Sequence, residues 1–136
     1  MALTWAPALE TGHSVIDSQH RDLINTVNGL IEACRQGHGA EKAGATLNFL
    51  VSYTKRHFHD EEMLQQQTNY PDFLHHRGLH EEFMRTAADL AAEFKQTGPT
   101  EALTAKIVKN IGDWLINHIL EEDIRMAAHV KKTVAA

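Results

Sequence analysis

Residues 47–64, LNFLVSYTKRHFHDEEML, show the helical pattern of this 136-residue chain most clearly. Apolar side chains recur along them every three or four positions, beginning at Leu47 and Leu50, which is the spacing of a helix buried along one face. His57 and Glu61 fall on that same face, where further apolar residues would be expected. The stretch therefore predicts an amphipathic helix that carries ionisable groups into a protein core.

Three further blocks show the same helical spacing, and no block shows the strict alternation of a half-buried strand. Short breaks rich in Gly, Pro or Asn separate the four blocks, and short connections favour antiparallel neighbours. The predicted fold is all-α, an antiparallel up-down-up-down four-helix bundle. Its helices are expected at about 18–36, 41–67, 72–96 and from Thr100 onward, with breaks at Gly37-His38-Gly39, Asn69-Tyr70-Pro71 and Gly98-Pro99.

The two ends of the chain lie outside the clear helical pattern. Trp5, Pro7 and Gly12 near the start predict an extended N-terminal arm that packs Trp5 against the bundle. The last dozen residues, rich in Ala and Lys, allow a short terminal helix. We therefore expect one domain over 1–136, with an arm at 1–16, the bundle at 18–127 and a tail at 128–136.

Composition excludes several classes of protein. Eighteen acidic against thirteen basic residues, a net charge of −5, argue against a nucleic-acid partner. Cys34 is the only cysteine, so no intramolecular disulfide can form, and no apolar stretch approaches the roughly 20 residues of a membrane span. The first residues lack the pattern of a signal peptide. We expect a cytoplasmic protein whose domain makes no membrane contact.

The ten histidines are the unusual feature of the composition. In an antiparallel bundle the start of the first helix, the end of the second, the start of the third and the end of the fourth lie together. Leaving buried polar groups there unpaired would cost roughly 1 to 3 kcal/mol each. The convergence of several buried histidines on this one end of the bundle therefore favours a metal centre. The core-facing histidines at that end are His20, His57, His76, His80 and His118. His13, His38, His59, His75 and His129 lie off the core-facing stripe, in loops or near a terminus, and we expect them to be solvated.

The spacing of these residues supports the same interpretation. A single buried histidine is more often a hydrogen-bonded core residue than a ligand, but i, i+4 pairs stack on one helix face and can bind one metal ion or bridge two. Two such pairs occur, His57 with Glu61 and His76 with His80. His118 and Asp123 are five residues apart, about 140° around an ideal α-helix. We therefore predict an irregular turn between them.

Four motifs resemble those of the hemerythrin family, and the resemblance covers nearly the whole chain. Trp5 and the Tyr70-Pro71 turn resemble the bacterial members, and the closest resemblance is to the C-terminal hemerythrin domain of a methyl-accepting chemotaxis receptor of sulfate-reducing bacteria. His13 departs from the pattern, which has an aliphatic residue there. The motifs are Ile16-Asp-Ser-Gln-His20, His57-Phe-His-Asp-Glu61, His76-Arg-Gly-Leu-His80 and His118-Ile-Leu-Glu-Glu-Asp123.

The resemblance implies a centre of two iron ions joined by an oxo or hydroxo bridge. Glu61 and Asp123 would bridge both irons; His76, His80 and His118 would hold one iron, and His20 and His57 the other. With two six-coordinate irons, these donors leave one position vacant on the iron with only two histidines. A small diatomic ligand such as dioxygen can bind there end-on.

Apolar walls around the vacancy would exclude the water and protons that promote oxidation of the iron. Each candidate wall residue could equally belong to the ordinary core. Ile119 is of most interest, because a side chain next to a ligand on an irregular turn can control access. The candidates are Leu23 and Ile24 beside His20, and Trp114, Leu115 and Ile119 around His118.

The function that we expect is reversible dioxygen binding for oxygen sensing, as in a chemotaxis receptor with a fused or associated signalling domain. An oxygen carrier or storage protein would share the same site. A di-iron enzyme acting on peroxide or nitric oxide is the alternative from another class, but the sequence places no acid or base beside the vacancy, so we expect no enzyme. A third possibility is iron or zinc storage or a structural zinc site. Structural zinc fits less well, because it prefers closed four-coordinate sites.

Overall fold

The computed structural model describes residues 3–135, with side chains as far as residue 133, and its regular elements are all helical. Helix α1 packs against α2 and α4, and α3 packs against the same two helices. This arrangement confirms the predicted four-helix bundle. The elements are a 3₁₀ turn at Pro7–Leu9, α1 at Ser14–Arg35, α2 at Gly39–Gln67, α3 at Phe73–Thr97, α4 at Glu101–His118, a π-helical turn at Ile119–Asp123 and α5 at Ile124–Ala135.

Helix α1 begins at Ser14, four residues before the predicted start, so residues 14–16 do not belong to an extended arm. The His13 side chain explains the early start. Its Nδ1 accepts a hydrogen bond from the Ile16 backbone N–H at 3.3 Å, which caps an otherwise unpaired donor of the first turn. The arm also contains a 3₁₀ turn, so it is shorter and less extended than the sequence suggested.

The predicted breaks between helices are confirmed at their glycines. Gly37 follows α1 with φ of +85°, and Gly98 follows α3 with φ of +75°. These are left-handed conformations that a residue without a Cβ adopts at little cost. The first three long helices therefore end close to where the sequence indicated. None of the helices in the described residues has the length and apolarity that crossing a bilayer requires.

Two apolar clusters occupy the interior, and they divide the bundle along its axis. The larger one fills most of the bundle between α1, α2, α3 and α4. The smaller one lies at the end where α5 packs back, and it contains Ile16, Tyr70, Met126 and Val130. Along α1 the buried His20 lies between Ile16 of the small cluster and the large cluster, so the polar layer is covered on both sides.

The N-terminal arm is fixed to α1 at both of its ends. The backbone of Leu3 pairs with the Asn28 side chain, donating its N–H to Oδ1 at 2.6 Å and accepting from Nδ2 at 2.7 Å. Trp5 packs against the large cluster as predicted, with the Arg21 guanidinium 4.6 Å from its ring centroid.

Asp17 anchors the other end of the arm. Its carboxylate accepts the Thr11 N–H at 2.9 Å, the Thr11 hydroxyl at 2.7 Å and the Gly12 N–H at 3.2 Å. Burial opposes ionisation of this group, but the hydrogen bonds from Thr11 and Gly12 outweigh it and hold the pKa of Asp17 below its usual range.

Replacing Asp17 with Asn should loosen the arm, because an amide cannot accept all three hydrogen bonds. We expect the free energy of unfolding at pH 7 to fall by about 1–3 kcal/mol, measured by urea denaturation. A carboxyl with a lowered pKa in the folded state stabilises above its unfolded pKa and loses that effect as pH falls through the folded pKa. The difference between the two proteins should therefore shrink below about pH 4.

The matched control is Asp113→Asn, because Asp113 is exposed and, within the described part of the chain, pairs only with Lys109, at 3.7 Å. That change should alter stability by less than about 0.5 kcal/mol. Equal losses in the two variants, or a loss at Asp17 that persists unchanged in acid, would contradict the anchoring role.

Candidate metal centre

Seven ionisable side chains from the four bundle helices and the π turn meet in the buried layer between the two apolar clusters. Each is no more than 5% exposed. Their donor atoms form two groups, and within each group all atoms lie within 4.8 Å of one another. One group is Glu61, His76, His80, His118 and Asp123; the other is His20, His57, Glu61 and Asp123.

Glu61 belongs to both groups and presents a different oxygen to each. Its Oε2 lies 2.9 Å from His57 Nε2 and 3.1 Å from His20 Nε2. Its Oε1 lies 3.2 Å from His80 Nε2, on the other side. A carboxylate in this position can bridge two metal ions.

Asp123 has the same divided geometry. Its Oδ2 lies 3.0 Å from His20 Nε2, whereas its Oδ1 lies 2.9 Å from His76 Nε2 and 3.1 Å from His118 Nε2. The two carboxylates thus lie between three imidazoles on one side and two on the other, which are the sets that the resemblance implied.

The π turn brings Asp123 into this layer. At its end, the Ile124 N–H bonds to the Ile119 carbonyl, the i to i+5 connection of a π-helix. Residues five apart then lie on one face, so His118 and Asp123 reach the same site and approach to 3.1 Å. The irregular turn predicted between these two residues is confirmed.

The donor atoms fit a pair of metal ions better than they fit one another. His76 Nε2 and His118 Nε2 lie 3.1 Å apart. Among the described residues, three buried atoms make close contacts but no hydrogen bond of acceptable geometry: Glu61 Oε1, His80 Nε2 and Asp123 Oδ1. Buried polar atoms in this state are costly unless a cation compensates them. Imidazole nitrogen with bridging carboxylate oxygen is a donor set that suits iron.

The electrostatics of the layer favour charged groups in the absence of metal. Burial alone would lower the pKa of His20, but hydrogen bonds to Asp123 and Glu61 raise it to about 10. Burial would likewise lower the pKa of His76, and the same two carboxylates raise it to about 9. Burial would raise the pKa of Glu61, yet His57 and His20 hold it well below its usual range. Metal ions that bind here therefore have to replace protons on His20 and His76.

Two outer partners, which the sequence did not reveal, fix the orientation of two of the imidazoles. His57 Nδ1 donates to Gln19 Oε1 at 2.7 Å, and Gln19 Nε2 donates to Asp60 at 2.9 Å. His80 Nδ1 donates to the Glu62 carboxylate at 2.9 Å. Because each Nδ1 carries the proton, each Nε2 lone pair faces the centre.

The five predicted wall residues lie where the large apolar cluster meets the polar layer. Trp114 is half-buried and lies nearly parallel to His118, with ring centroids 4.3 Å apart. Their role as an oxygen pocket stays a prediction, since core residues would also lie there. The four fully buried ones are Leu23, Ile24, Leu115 and Ile119.

Three of the five remaining histidines, His38, His59 and His75, are exposed as predicted. The prediction of solvation is wrong for the other two. His13 caps α1, and His129 is half-buried with Nε2 2.7 Å from the Thr68 carbonyl. The cause at His129 is the return of α5 onto the α2–α3 connection.

Comparison with known proteins agrees with this geometry. Residues 11–130 match the family described as the Hemerythrin HHE cation binding domain. The chain is 34% identical over 129 residues to a bacteriohemerythrin of Stenotrophomonas maltophilia, covering 95% of this chain and 82% of the relative. It is 31% identical to hemerythrin subunit beta of Lingula anatina, covering 89% of both chains.

A solved structure is also similar in fold. The crystal structure of a wild-type hemerythrin superposes with a TM-score of 0.82 at 28% identity, covering 96% of this chain and 98% of that one. The narrower resemblance to a chemotaxis receptor domain stays a prediction. On its sequence, its fold and the domain match over residues 11–130, this chain belongs to the hemerythrin family.

Proposed function

We propose that this chain binds dioxygen reversibly at a non-haem di-iron centre. The observation that carries the proposal is the position of Glu61 and Asp123, each with one oxygen toward each of two imidazole groups. Membership of the hemerythrin family and relatives named as hemerythrins support it. The proposed ligands are His20, His57, Glu61, His76, His80, His118 and Asp123.

The unequal imidazole groups support a vacancy on one side of the centre. When two ferrous ions are bound, they supply the electrons that hold dioxygen. The chain supplies three imidazoles on one side and only His20 and His57 on the other. Buried Leu23 and Ile24 follow His20 on α1 and exclude water from this side.

The chain's other polar groups near the centre favour binding over catalysis. Glu62 is engaged with His80, and Asp60 with Gln19, so neither carboxylate stands ready as an acid or base. We therefore propose a binding protein, with a di-iron enzyme acting on peroxide or nitric oxide as the alternative. The cytoplasm is the proposed compartment, because a lone Cys34 suits a reducing environment.

Oxygen sensing is the proposed use of the site, with a fused or associated signalling domain as partner. Asp17 supports this, because it holds the arm and lies one turn before His20 on α1. A change in the position of His20 on oxygenation would reach the arm through that turn. An oxygen carrier or storage protein is the alternative, and its function needs no connection between His20 and the arm.

Reversible oxygenation has a direct optical test. The iron-loaded protein, reduced without oxygen, should gain a visible charge-transfer band on exposure to air and lose it under argon, over repeated cycles. Zinc-loaded protein is the control and should show no band. A band that never forms, or that appears once and does not reverse, would refute reversible binding.

A polar group at Ile119 should shorten the life of the oxygenated protein, because it admits water to the centre. Ile119→Thr should raise the rate of autoxidation several-fold, followed as decay of the charge-transfer band at unchanged iron content. Ile119→Val is the matched control, because valine has nearly the same shape as threonine but lacks the hydroxyl. Identical rates in the two variants would remove Ile119 from the pocket.

Sensing and carrying predict different behaviour of the arm. In a sensor, the rate at which chymotrypsin cleaves after Trp5 should change when the reduced protein is oxygenated. The Asp17→Asn variant, with its arm already loosened, should be cleaved quickly in both states. Equal cleavage of the wild-type protein in both states would favour a carrier.

A further inference from the structure

Two hydrogen-bonded routes lead from candidate ligands toward the surface, and they end in different surroundings. The route from His57 passes through Gln19 and ends at Asp60, a carboxylate. The route from His80 has a single step, to Glu62, whose side chain is 23% exposed. His80 is therefore separated from solvent by one carboxylate, which lies in a cleft between α2 and α3.

The α2–α3 cleft has the opposite charge balance to the rest of the chain. Four cations and two carboxylates line it, whereas the whole chain carries 13 basic and 18 acidic residues. Among the described residues, Arg77 is the only one of the four cations with a carboxylate within 4.0 Å, namely Glu81. The cleft is a positive patch on a negative protein. Its cations are Lys55, Arg56, Arg77 and Arg85.

The floor of the cleft is apolar and connects directly to the candidate ligand. Met84 is half-buried there, and Phe58 lies parallel to the His80 ring with centroids 3.9 Å apart. An apolar centre within a charged rim is the common anatomy of a protein interface. The cleft therefore has the composition of a small docking surface.

A protein with the proposed function needs a source of electrons. Oxidation leaves two ferric ions that no longer bind dioxygen, and their return to the ferrous state takes two electrons. The chain's one thiol, Cys34, lies near the end of α1, whereas His20 lies near the start of the same helix. The electrons therefore have to come from another molecule.

We propose that the α2–α3 cleft is the docking surface for an electron-donor protein with an acidic surface. The inference rests on the proposed function. The donor loses one electron at each encounter and one ferric ion gains it, so two encounters restore the centre. Complementary charge raises the rate of such encounters, and redox partners form small, short-lived interfaces. The cleft adjoins the three-imidazole group, so a docked donor leaves the two-imidazole side free for dioxygen.

The rate of reduction by a defined acidic donor tests this proposal. Reduced flavodoxin, mixed with the oxidised iron-loaded protein in a stopped-flow instrument, should reduce it at a rate that falls as salt is added. The double variant Lys55→Glu/Arg56→Glu should react on the order of tenfold more slowly at low salt, and the difference should vanish at high salt.

A matched control separates docking from net charge. Lys106→Glu/Lys109→Glu reverses two exposed cations on α4, outside the cleft, and changes the net charge by the same amount. It should retain most of the wild-type rate. Equal slowing by both double variants, or a wild-type rate that does not fall as salt is added, would overturn the proposal.

A second measurement does not depend on iron or oxygen. Oxidised flavodoxin added to the isotope-labelled, zinc-loaded protein should shift backbone amide signals around 52–62 and 77–85. Shifts confined to other faces would overturn the docking surface and leave oxygen binding unaffected. Failure of the oxygen cycle with these shifts intact would instead refute the proposed function and retain the cleft as a binding surface.

Discussion

Two buried carboxylates, Glu61 and Asp123, hold imidazoles from all four bundle helices around one polar layer. Neither is more than 1% exposed, and an unpaired charge at such depth costs several kcal/mol. Imidazoles from α1, α2, α3 and α4 surround them. When no metal is bound, His20 and His76 compensate that charge with protons, because the two carboxylates raise their pKa values. The same atoms are placed to compensate it through metal ions. The layer therefore ties the four helices together in both states.

The position of Asp123 follows from a local departure from α-helical geometry. One widened turn at Ile119–Asp123 brings this residue beneath His118 and rotates the chain that follows. That rotation directs Met126 and Val130 onto Ile16, which closes the end of the bundle over the polar layer. Burial between two apolar clusters keeps the local dielectric low and strengthens each electrostatic interaction inside. The π turn thus brings Asp123 into the polar layer and allows α5 to cover that layer.

The fold and the five histidines and Glu61 of the polar layer could be predicted because they follow the helical period, whereas Asp123 reaches the layer only through the irregular turn. His57 and Glu61 share a stripe with Leu50, so their burial follows from spacing alone. The start of α1 could not be predicted in this way, since His13 acts through one local hydrogen bond. The partnership of His80 with Glu62 was also hidden, because it depends on how α2 and α3 are rotated against each other. The helical period shows which face of a helix a residue occupies, but it does not show how neighbouring helices are rotated or aligned against each other.

The positions of bound iron ions distinguish a paired metal centre from any other arrangement. A crystal structure of the iron-loaded protein, with anomalous scattering measured at the iron edge, should show two peaks inside the polar layer. One peak should lie among His76, His80 and His118, the other beside His20 and His57, with a carboxylate reaching both. A single peak in the layer, or iron bound at another part of the chain, would contradict a paired metal centre held by four helices.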